Sequence, residues 1–272
     1  MTYQAAVFLM LCQAATIGAG LDVEKIVKES ASIADRDRQA NPDYDFKETD
    51  RDLDGSTKTY AVHMLLGSPC RELIAVDGMS LPREKQEEEK RKLDQESERR
   101  SRESQQGREH RVAQYQKEQN RDRRFMEEFT RAFNFTLIGQ TQVDGRQVYI
   151  VQAMPRAGYQ ATDKASKVLT GMRGTLWIDR QTFQWVKVQA DVIHPVSIEG
   201  FLAKVEPGTR FEMEKAPVGN GIWLPKHFTM TSNARILSVI HHGNHGDETY
   251  FDYQKTSQSA PNVGGAVSHL GW

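Results

Sequence analysis

Residues 174–192 read Gly174-Thr-Leu-Trp-Ile-Asp-Arg-Gln-Thr-Phe-Gln-Trp-Val-Lys-Val-Gln-Ala-Asp-Val192. Apolar residues alternate with polar ones on both sides of Asp179-Arg-Gln-Thr182, which predicts a β-hairpin with this tetrapeptide as its turn. One face should carry the aliphatic side chains of Leu176, Ile178, Val186 and Val188. On the other face, Trp177 and Trp185 are expected to meet across the strands. Because an isolated hairpin is only marginally stable in water, further strands are expected on either side.

The remaining strands are predicted from the same alternation and from Asp-Gly steps, which favour tight hairpin turns. Asp54-Gly55, Asp77-Gly78 and Asp144-Gly145 are three such steps. The other predicted β segments are 44–53, 57–66, 70–76, the hairpin 134–154, 210–215, 226–232, 234–241 and 248–254. This number of short strands indicates a large antiparallel sheet.

Two amphipathic segments predict helices that pack on this sheet. In residues 21–40, apolar residues recur at helical spacing, and Pro42 ends the pattern. In residues 125–133, Phe125, Phe129 and Phe133 are four residues apart, so they should share one helix face.

The segment 80–124 is different, because it is highly charged and has no apolar stripe. Ser80 and Pro82 are suited to a helix start, and many acid-to-base pairs lie four residues apart, which stabilises an isolated helix. Gly107 is expected to break this helix. Two interpretations stay open: a solvated helix that projects outward, or a charged arm that docks a protein. Acids nearly balance bases, which argues against nucleic acid as the partner.

The strand Gly174-Thr-Leu-Trp-Ile-Asp179, with its turn and following apolar strand, resembles the LolA-like lipoprotein-sorting carriers of the Gram-negative periplasm. These carriers share their fold with the LolB-type and RseB-type proteins. The resemblance covers roughly residues 130–256 and the general plan of the N-terminal strands, but not residues 82–124. It implies an α+β fold: a curved, incompletely closed antiparallel β-barrel of about 9–11 strands wrapped around helices, with the charged helical insertion added. It also implies an acyl-chain cavity between the sheet and the helices.

The 272-residue chain has a formal net charge of −1 and contains 38% hydrophobic residues. Residues 1–20 include an apolar run that is too short to span a bilayer and suits a secretory signal peptide; a buried N-terminal helix is the alternative. We therefore expect one mature domain over residues 21–256 in the periplasm and a disordered tail over 257–272. Removal of the signal would leave Cys70 alone, which is expected to act as a small buried hydrophobic residue.

One histidine cluster is a candidate metal site: His241-His242-Gly-Asn-His245-Gly-Asp247. Histidines at close spacing can bind zinc or copper. Adjacent histidines on a strand point to opposite faces, however, and Gly-Asn and Gly-Asp steps are typical of a turn. We therefore expect a turn here, no metal and no cofactor. The acidic pair Asp50 and Asp52 is interpreted as part of a wet strand face.

Large, adaptable side chains at alternating strand positions predict the binding surface. With the hairpin aliphatics, the expected cavity lining is Met64, Leu176, Ile178, Val186, Val188, Phe211, Met213, Phe228 and Met230. The alternative is that these residues simply pack against the helices.

The resemblance implies a non-enzymatic cell-envelope protein, peripheral to the membrane at most, that binds lipid or lipoprotein acyl chains. An RseB-like sensor or adaptor with an envelope protein as partner is the alternative, followed by a metal-dependent enzyme.

Overall fold

Antiparallel strands dominate the computed structural model, which describes residues 22–52, 54–162, 166–198, 203–205, 207–231 and 245–256. The predicted signal peptide (1–20), the strand 234–241 and the tail 257–272 lie outside these residues. The helices are α1 (Val23–Ala40), α2 (Arg83–Ser101) and α3 (Gln105–Ala132), with short 3-10 helices at Asn41–Asp43 and Ser166–Gly171. The strands are β1 (Tyr44–Asp52), β2 (Thr57–Leu65), β3 (Ser68–Val76), β4 (Met79–Ser80), β5 (Phe133–Val143), β6 (Arg146–Pro155), β7 (Met172–Asp179), β8 (Trp185–Val192), β9 (Val196–Ile198), β10 (Ala203–Val205), β11 (Arg210–Gly219), β12 (Ile222–Thr231) and β13 (His245–Lys255).

Eleven of these strands form one curved antiparallel sheet in the order β4-β3-β2-β1-β13-β12-β11-β8-β7-β6-β5. Strands β4 and β5 occupy the two edges and are not paired with each other, so the barrel is open. Strands β9 and β10 form a separate two-stranded sheet. The predicted α+β fold, an incompletely closed antiparallel barrel with helices, is confirmed, and it is the fold that the resemblance implies.

The main core lies between one end of the sheet and the apolar sides of α1 and α3. Its buried members come from both helices, from β5 to β8 and from the 3-10 helix Ser166–Gly171: Ile26, Val27, Phe129, Ala132, Phe133, Tyr149, Val151, Ala153, Leu169, Leu176, Ile178 and Trp185. Leu176, Ile178 and Val151 are fully inaccessible to solvent. We call the side of the sheet that carries Leu176 and Ile178 the helix-covered face.

The hairpin of residues 174–192 forms as predicted, but a bulge changes which side chains share a face. Trp177 pairs with Lys187, whereas the next residue, Ile178, pairs with Trp185, so Val186 is the extra residue. Trp185 consequently packs in the main core with Phe129, at a ring distance of 5.8 Å. Val186 packs with Val148 and Trp177 in a second cluster. The predictions that Val186 lies beside Leu176 and that the two tryptophans meet are therefore wrong.

The charged segment forms two helices rather than one. The chain breaks before Ser104, whose hydroxyl caps α3 by accepting a hydrogen bond from the Gly107 backbone N–H at 3.1 Å. Gly107 lies inside the first turn of α3, so the predicted break at Gly107 is displaced. Ser80 lies in β4 rather than capping α2, and Pro82 occupies the position before the helix without a side-chain cap.

Most of α2 is exposed, as predicted for a solvated helix, but Arg100 attaches it to the sheet. The Arg100 guanidinium is buried and donates to the carbonyl oxygens of Leu65 and Ser68, each at 2.8 Å. Glu96 on the same helix accepts from Arg100 at 2.6 Å. Because the buried charge has both a counter-ion and carbonyl partners, it holds α2 against the turn between β2 and β3.

The C-terminal end of α1 is attached to the sheet by a second buried charge. Asp37 is fully buried and accepts from Lys215 Nζ on β11 at 3.2 Å and from Gln184 Nε2 at 3.4 Å. Burial lowers the pKa of Lys215, and the neighbouring Asp37 carboxylate opposes that shift. The pair therefore holds one end of α1, whereas apolar contacts of Ile26 and Val27 hold the other.

We predict that Lys215→Met destabilises the protein by about 3 kcal/mol, because it leaves the buried Asp37 carboxylate without its ammonium partner. The free energy of unfolding is to be measured by urea titration. The matched control is Lys226→Met, whose ammonium is half exposed and lies 3.6 Å from Asp144. That control should change stability by less than about 1 kcal/mol, since exposed ion pairs contribute little. Equal losses in the two variants would contradict the prediction.

Candidate ligand-binding surface

A row of directly paired residues crosses the helix-covered face from the core toward β1. Register places Leu176 opposite Val188, Val188 opposite Met213, and Met213 opposite Phe228. A parallel row pairs Ala190 with Phe211 and Phe211 with Met230. Directly opposite residues project to the same side of an antiparallel sheet. These side chains therefore form one continuous apolar surface.

The two ends of this surface differ in how well they are covered. Leu176 lies under the helices and is 0% exposed, whereas Met213 is 37% exposed. Phe211, Phe228 and Met230 are half-buried. We define the apolar patch as Phe211, Met213, Phe228 and Met230. Four large apolar side chains that stay accessible side by side on β11 and β12 are suited to contact an apolar ligand.

The structure thus separates the nine predicted lining residues into groups. Leu176 and Ile178 belong to the helix-covered core, and half-buried Val188 lies between that core and the patch. Val186 belongs to the second cluster. Met64 is buried on β2, which is separated from the patch by β1 and β13. Only Phe211, Met213, Phe228 and Met230 are brought together as an accessible surface, and their role as a binding site stays a prediction.

Three carboxyl groups adjoin the patch, and we call Glu48, Asp50 and Glu248 the carboxyl cluster. Glu248 lies opposite Phe228 of the patch and opposite Asp50, which places all three side chains on the same face. Glu48 lies two residues before Asp50 on β1 and therefore shares that face. The side chains of Asp50 and Glu48 are 1% and 13% exposed.

Arg71 on β3 supplies the positive charge of this region. Its guanidinium lies 2.5 Å from Asp50 Oδ2 and 3.5 Å from Glu48 Oε2. It also stacks 3.9 Å from the ring centre of Tyr60. On the other side, the Tyr250 hydroxyl donates a hydrogen bond to the Glu248 carboxylate. The cluster is therefore held by Arg71 from β3, which reaches past β2, and by Tyr250 from β13, the strand that also carries Glu248.

Glu48 is the group in this cluster whose protonation is most affected by its surroundings. Burial raises its pKa to about 8, Arg71 opposes the increase, and the charge and hydrogen bond of Asp50 reinforce it. A neutral Glu48 carboxyl can donate a hydrogen bond to the Asp50 carboxylate. Burial and the Glu248 carboxylate likewise raise the pKa of Tyr250, which keeps its hydroxyl protonated.

Sequence reasoning missed this cluster. Asp50 and Asp52 were interpreted as a wet strand face, but Asp50 is buried and contacts Arg71, whereas Asp52 lies 3.5 Å from Lys58. The alternation of Glu48 and Asp50 along β1 was a signal that both point to one side. Their partners come from β3 and β13, which the pairing order brings alongside only in the folded sheet.

Cys70 and the histidine cluster are two further groups whose chemistry depends on their surroundings. Cys70 is half-buried, and burial raises the pKa of its thiol, which keeps the thiol in its less nucleophilic form. His241 to Asn244 lie outside the described residues, while His245 and Asp247 begin β13. Asp247 Oδ1 instead accepts a hydrogen bond from His227 Nε2 at 2.8 Å. No cluster of three metal-binding side chains occurs within the described residues.

The helices that the structure describes include none long and apolar enough to cross a membrane. No protein-family model matches the chain, and no curated protein matches its sequence.

Three solved structures are similar to the chain at low identity. The LolA superfamily protein NE2245 from Nitrosomonas europaea is 11% identical, with 88% of this chain and 96% of that chain covered and a TM-score of 0.33. A DUF1329 family protein from Desulfovibrio piger is 12% identical, with 84% and 91% covered and a TM-score of 0.28. The MucA/MucB complex of Pseudomonas aeruginosa gives 11% identity, 85% and 92% coverage and a TM-score of 0.25.

We predict that the stability of the protein falls as pH rises through about 8, and that Glu48 causes much of the fall. The folded-state pKa of Glu48 is raised above its ordinary value of 4.5, so the folded protein binds more protons than the unfolded chain between these values. The contribution of Glu48 to the free energy of unfolding is therefore fully present below about pH 4.5 and is lost as the pH rises through about 8. Melting temperature should be measured between about pH 5 and 9.

Glu48→Gln should flatten this profile, because an amide cannot ionise. The control Glu109→Gln alters an exposed residue of α3 and should keep the wild-type slope. An unchanged slope in Glu48→Gln would show that other groups control the pH dependence.

Proposed function

We propose that this chain is a non-enzymatic protein of the cell envelope that binds lipid or lipoprotein acyl chains on the apolar patch. The observation that carries the proposal is the accessible row of Phe211, Met213, Phe228 and Met230 on the helix-covered face. Large apolar side chains are normally buried when a sheet and its helices pack fully. The resemblance of residues 174–192 to the LolA-like carriers suggests that the ligand is an acyl chain.

Binding would be driven by removal of apolar surface from water. Each buried CH₂ group contributes about 0.8 kcal/mol, so an acyl chain gains affinity with its length. Met213 and Met230 are unbranched and can adjust to chains of different shape. Phe211 and Phe228 provide flat, rigid contacts beside them. Such a surface recognises hydrocarbon without requiring a specific hydrogen-bond pattern.

The position of α1 indicates how an acyl chain could be taken up and released. The helix contacts both β5 and β12, so it lies across the helix-covered face and next to the strand that carries Phe228 and Met230. Asp37 attaches its C-terminal end through Lys215. Deeper entry of a chain, toward Leu176 and Ile178, would require the apolar contacts of α1 to give way.

A second candidate function is an RseB-like adaptor that binds an envelope protein. The observation that favours it is the exposed surface of α2, a 19-residue helix rich in both signs of charge. Arg100 holds this helix against the body of the protein, so its charged side is presented in a defined orientation. Many of its charges are paired along the helix, for example Arg83 with Glu87 at 3.0 Å.

Mass spectrometry of organic extracts distinguishes the two candidates. The protein is to be purified from its native envelope without detergent, and its folding checked by circular dichroism. Phospholipid or acylated peptide in near-stoichiometric amount would support acyl-chain binding and identify the ligand class. A clean extract from folded protein would contradict it and favour the adaptor.

We predict that Met213→Gln weakens binding of dansyl-labelled undecanoic acid by roughly tenfold, because a polar amide replaces an apolar contact of similar length. Fluorescence titration measures the dissociation constant. The matched control is Met79→Gln, since Met79 is 71% exposed but lies on edge strand β4, away from the patch. If Met79→Gln weakens binding as much as Met213→Gln, the patch is not the binding surface.

A further inference from the structure

The two edges of the eleven-stranded sheet are very different. One edge is β4, which has only two residues, Met79–Ser80, and leads directly into α2 beside β3. The other edge is β5, which has eleven residues, Phe133–Val143, and whose single strand partner within the described residues is β6. A long edge strand presents a row of backbone N–H and C=O groups that another strand can pair with.

Strand β5 also lacks the side chains that normally prevent such pairing. Natural edge strands usually carry charged residues or proline. The sequence Phe133-Asn-Phe-Thr-Leu-Ile-Gly-Gln-Thr-Gln-Val143 contains neither. The only charged residues between 133 and 155 are Asp144 and Arg146 at the hairpin tip, although 27% of the whole chain is charged. Apart from its tip, this hairpin therefore carries no charged side chain of its own.

Exposure of apolar side chains points to the same hairpin. Ile138 is 50% exposed and Met154 on β6 is 40% exposed. The ladder between β5 and β6 shifts register between Leu137 and Gly139, so Ile138 is the extra residue of a bulge. A bulge is one way to protect an edge, but here it leaves an isoleucine accessible to solvent. Phe133, Phe135 and Leu137 pack into the main core, so contacts with the helices use the inward side chains of β5.

We propose that β5 pairs with β5 of a second copy of this chain, joining the two sheets edge to edge in a twofold-symmetric dimer. The backbone groups of the edge require an extended strand as the occupant. The absence of charge means that the strand can face its own copy without repulsion. When the two strands overlap over their full length, antiparallel pairing about a twofold axis places Ile138, the sixth of the eleven residues, beside Ile138 of the other copy. This proposal does not depend on acyl-chain binding.

The test combines sedimentation velocity with hydrogen exchange on the full chain, from low to high micromolar concentration. The wild type should shift from monomer to dimer, and amides of β5 should become protected over the same concentrations. Ile138→Lys should raise the dimer dissociation constant at least about tenfold, because it places two ammonium groups together on adjoining strands. The control Met154→Lys adds the same charge on β6, which is not the edge strand, and should leave the dimer intact.

Several outcomes would overturn the proposal. A wild type that stays monomeric at every concentration excludes the dimer and leaves the edge available for a strand of another protein. A dimer that forms while β5 amides stay unprotected uses a different surface. Equal weakening by Ile138→Lys and Met154→Lys also overturns edge pairing, because it points to association through the outer side of the hairpin. Circular dichroism of both variants separates these outcomes from loss of folding.

Discussion

The eleven-stranded sheet is wider than the area that α1 and α3 can cover, and this difference determines which apolar side chains are buried. Strands β5 to β8 receive the apolar sides of α1 and α3, and Leu176 and Ile178 disappear from solvent there. The same face continues across β11 and β12, where Met213 and its neighbours stay accessible. Since burial of apolar surface is the main favourable term in folding, these accessible side chains are the basis on which a binding surface is proposed.

The chemistry of the surface changes within one row of paired residues. From Leu176 to Phe228 the row is apolar, and the next two positions are Glu248 and Asp50. Pairing of adjacent strands thus places the apolar side chain of Phe228 directly beside the ionisable side chain of Glu248. An amphipathic ligand such as a lipid would meet both environments. The protonation of Glu48 links the charge of the second environment to pH.

Two buried charges attach α1 and α2 to the sheet, in addition to the apolar contacts of the core. Asp37 holds the end of α1 to β11, and Arg100 holds α2 to the turn after β2. Both sites pair a charge with several oriented hydrogen bonds, which a hydrophobic contact cannot provide. Removal of one partner is costly because the other charge stays buried.

Local sequence predicted most of the described strands, the three Asp-Gly turns and two of the helices, because periodicity and Asp-Gly steps act over a few residues. It also identified Phe211, Met213, Phe228 and Met230, since alternation alone puts them on one side of adjacent strands. It misplaced Val186 and Trp185, because a bulge at the hairpin depends on packing against Phe129 from a distant helix. It missed the carboxyl cluster, because β1 meets β13 and Arg71 only through pairing across the whole sheet. Contacts between residues far apart in the chain follow from the closure of the sheet and the choice of which face the helices cover, and neither is encoded in any single stretch of residues.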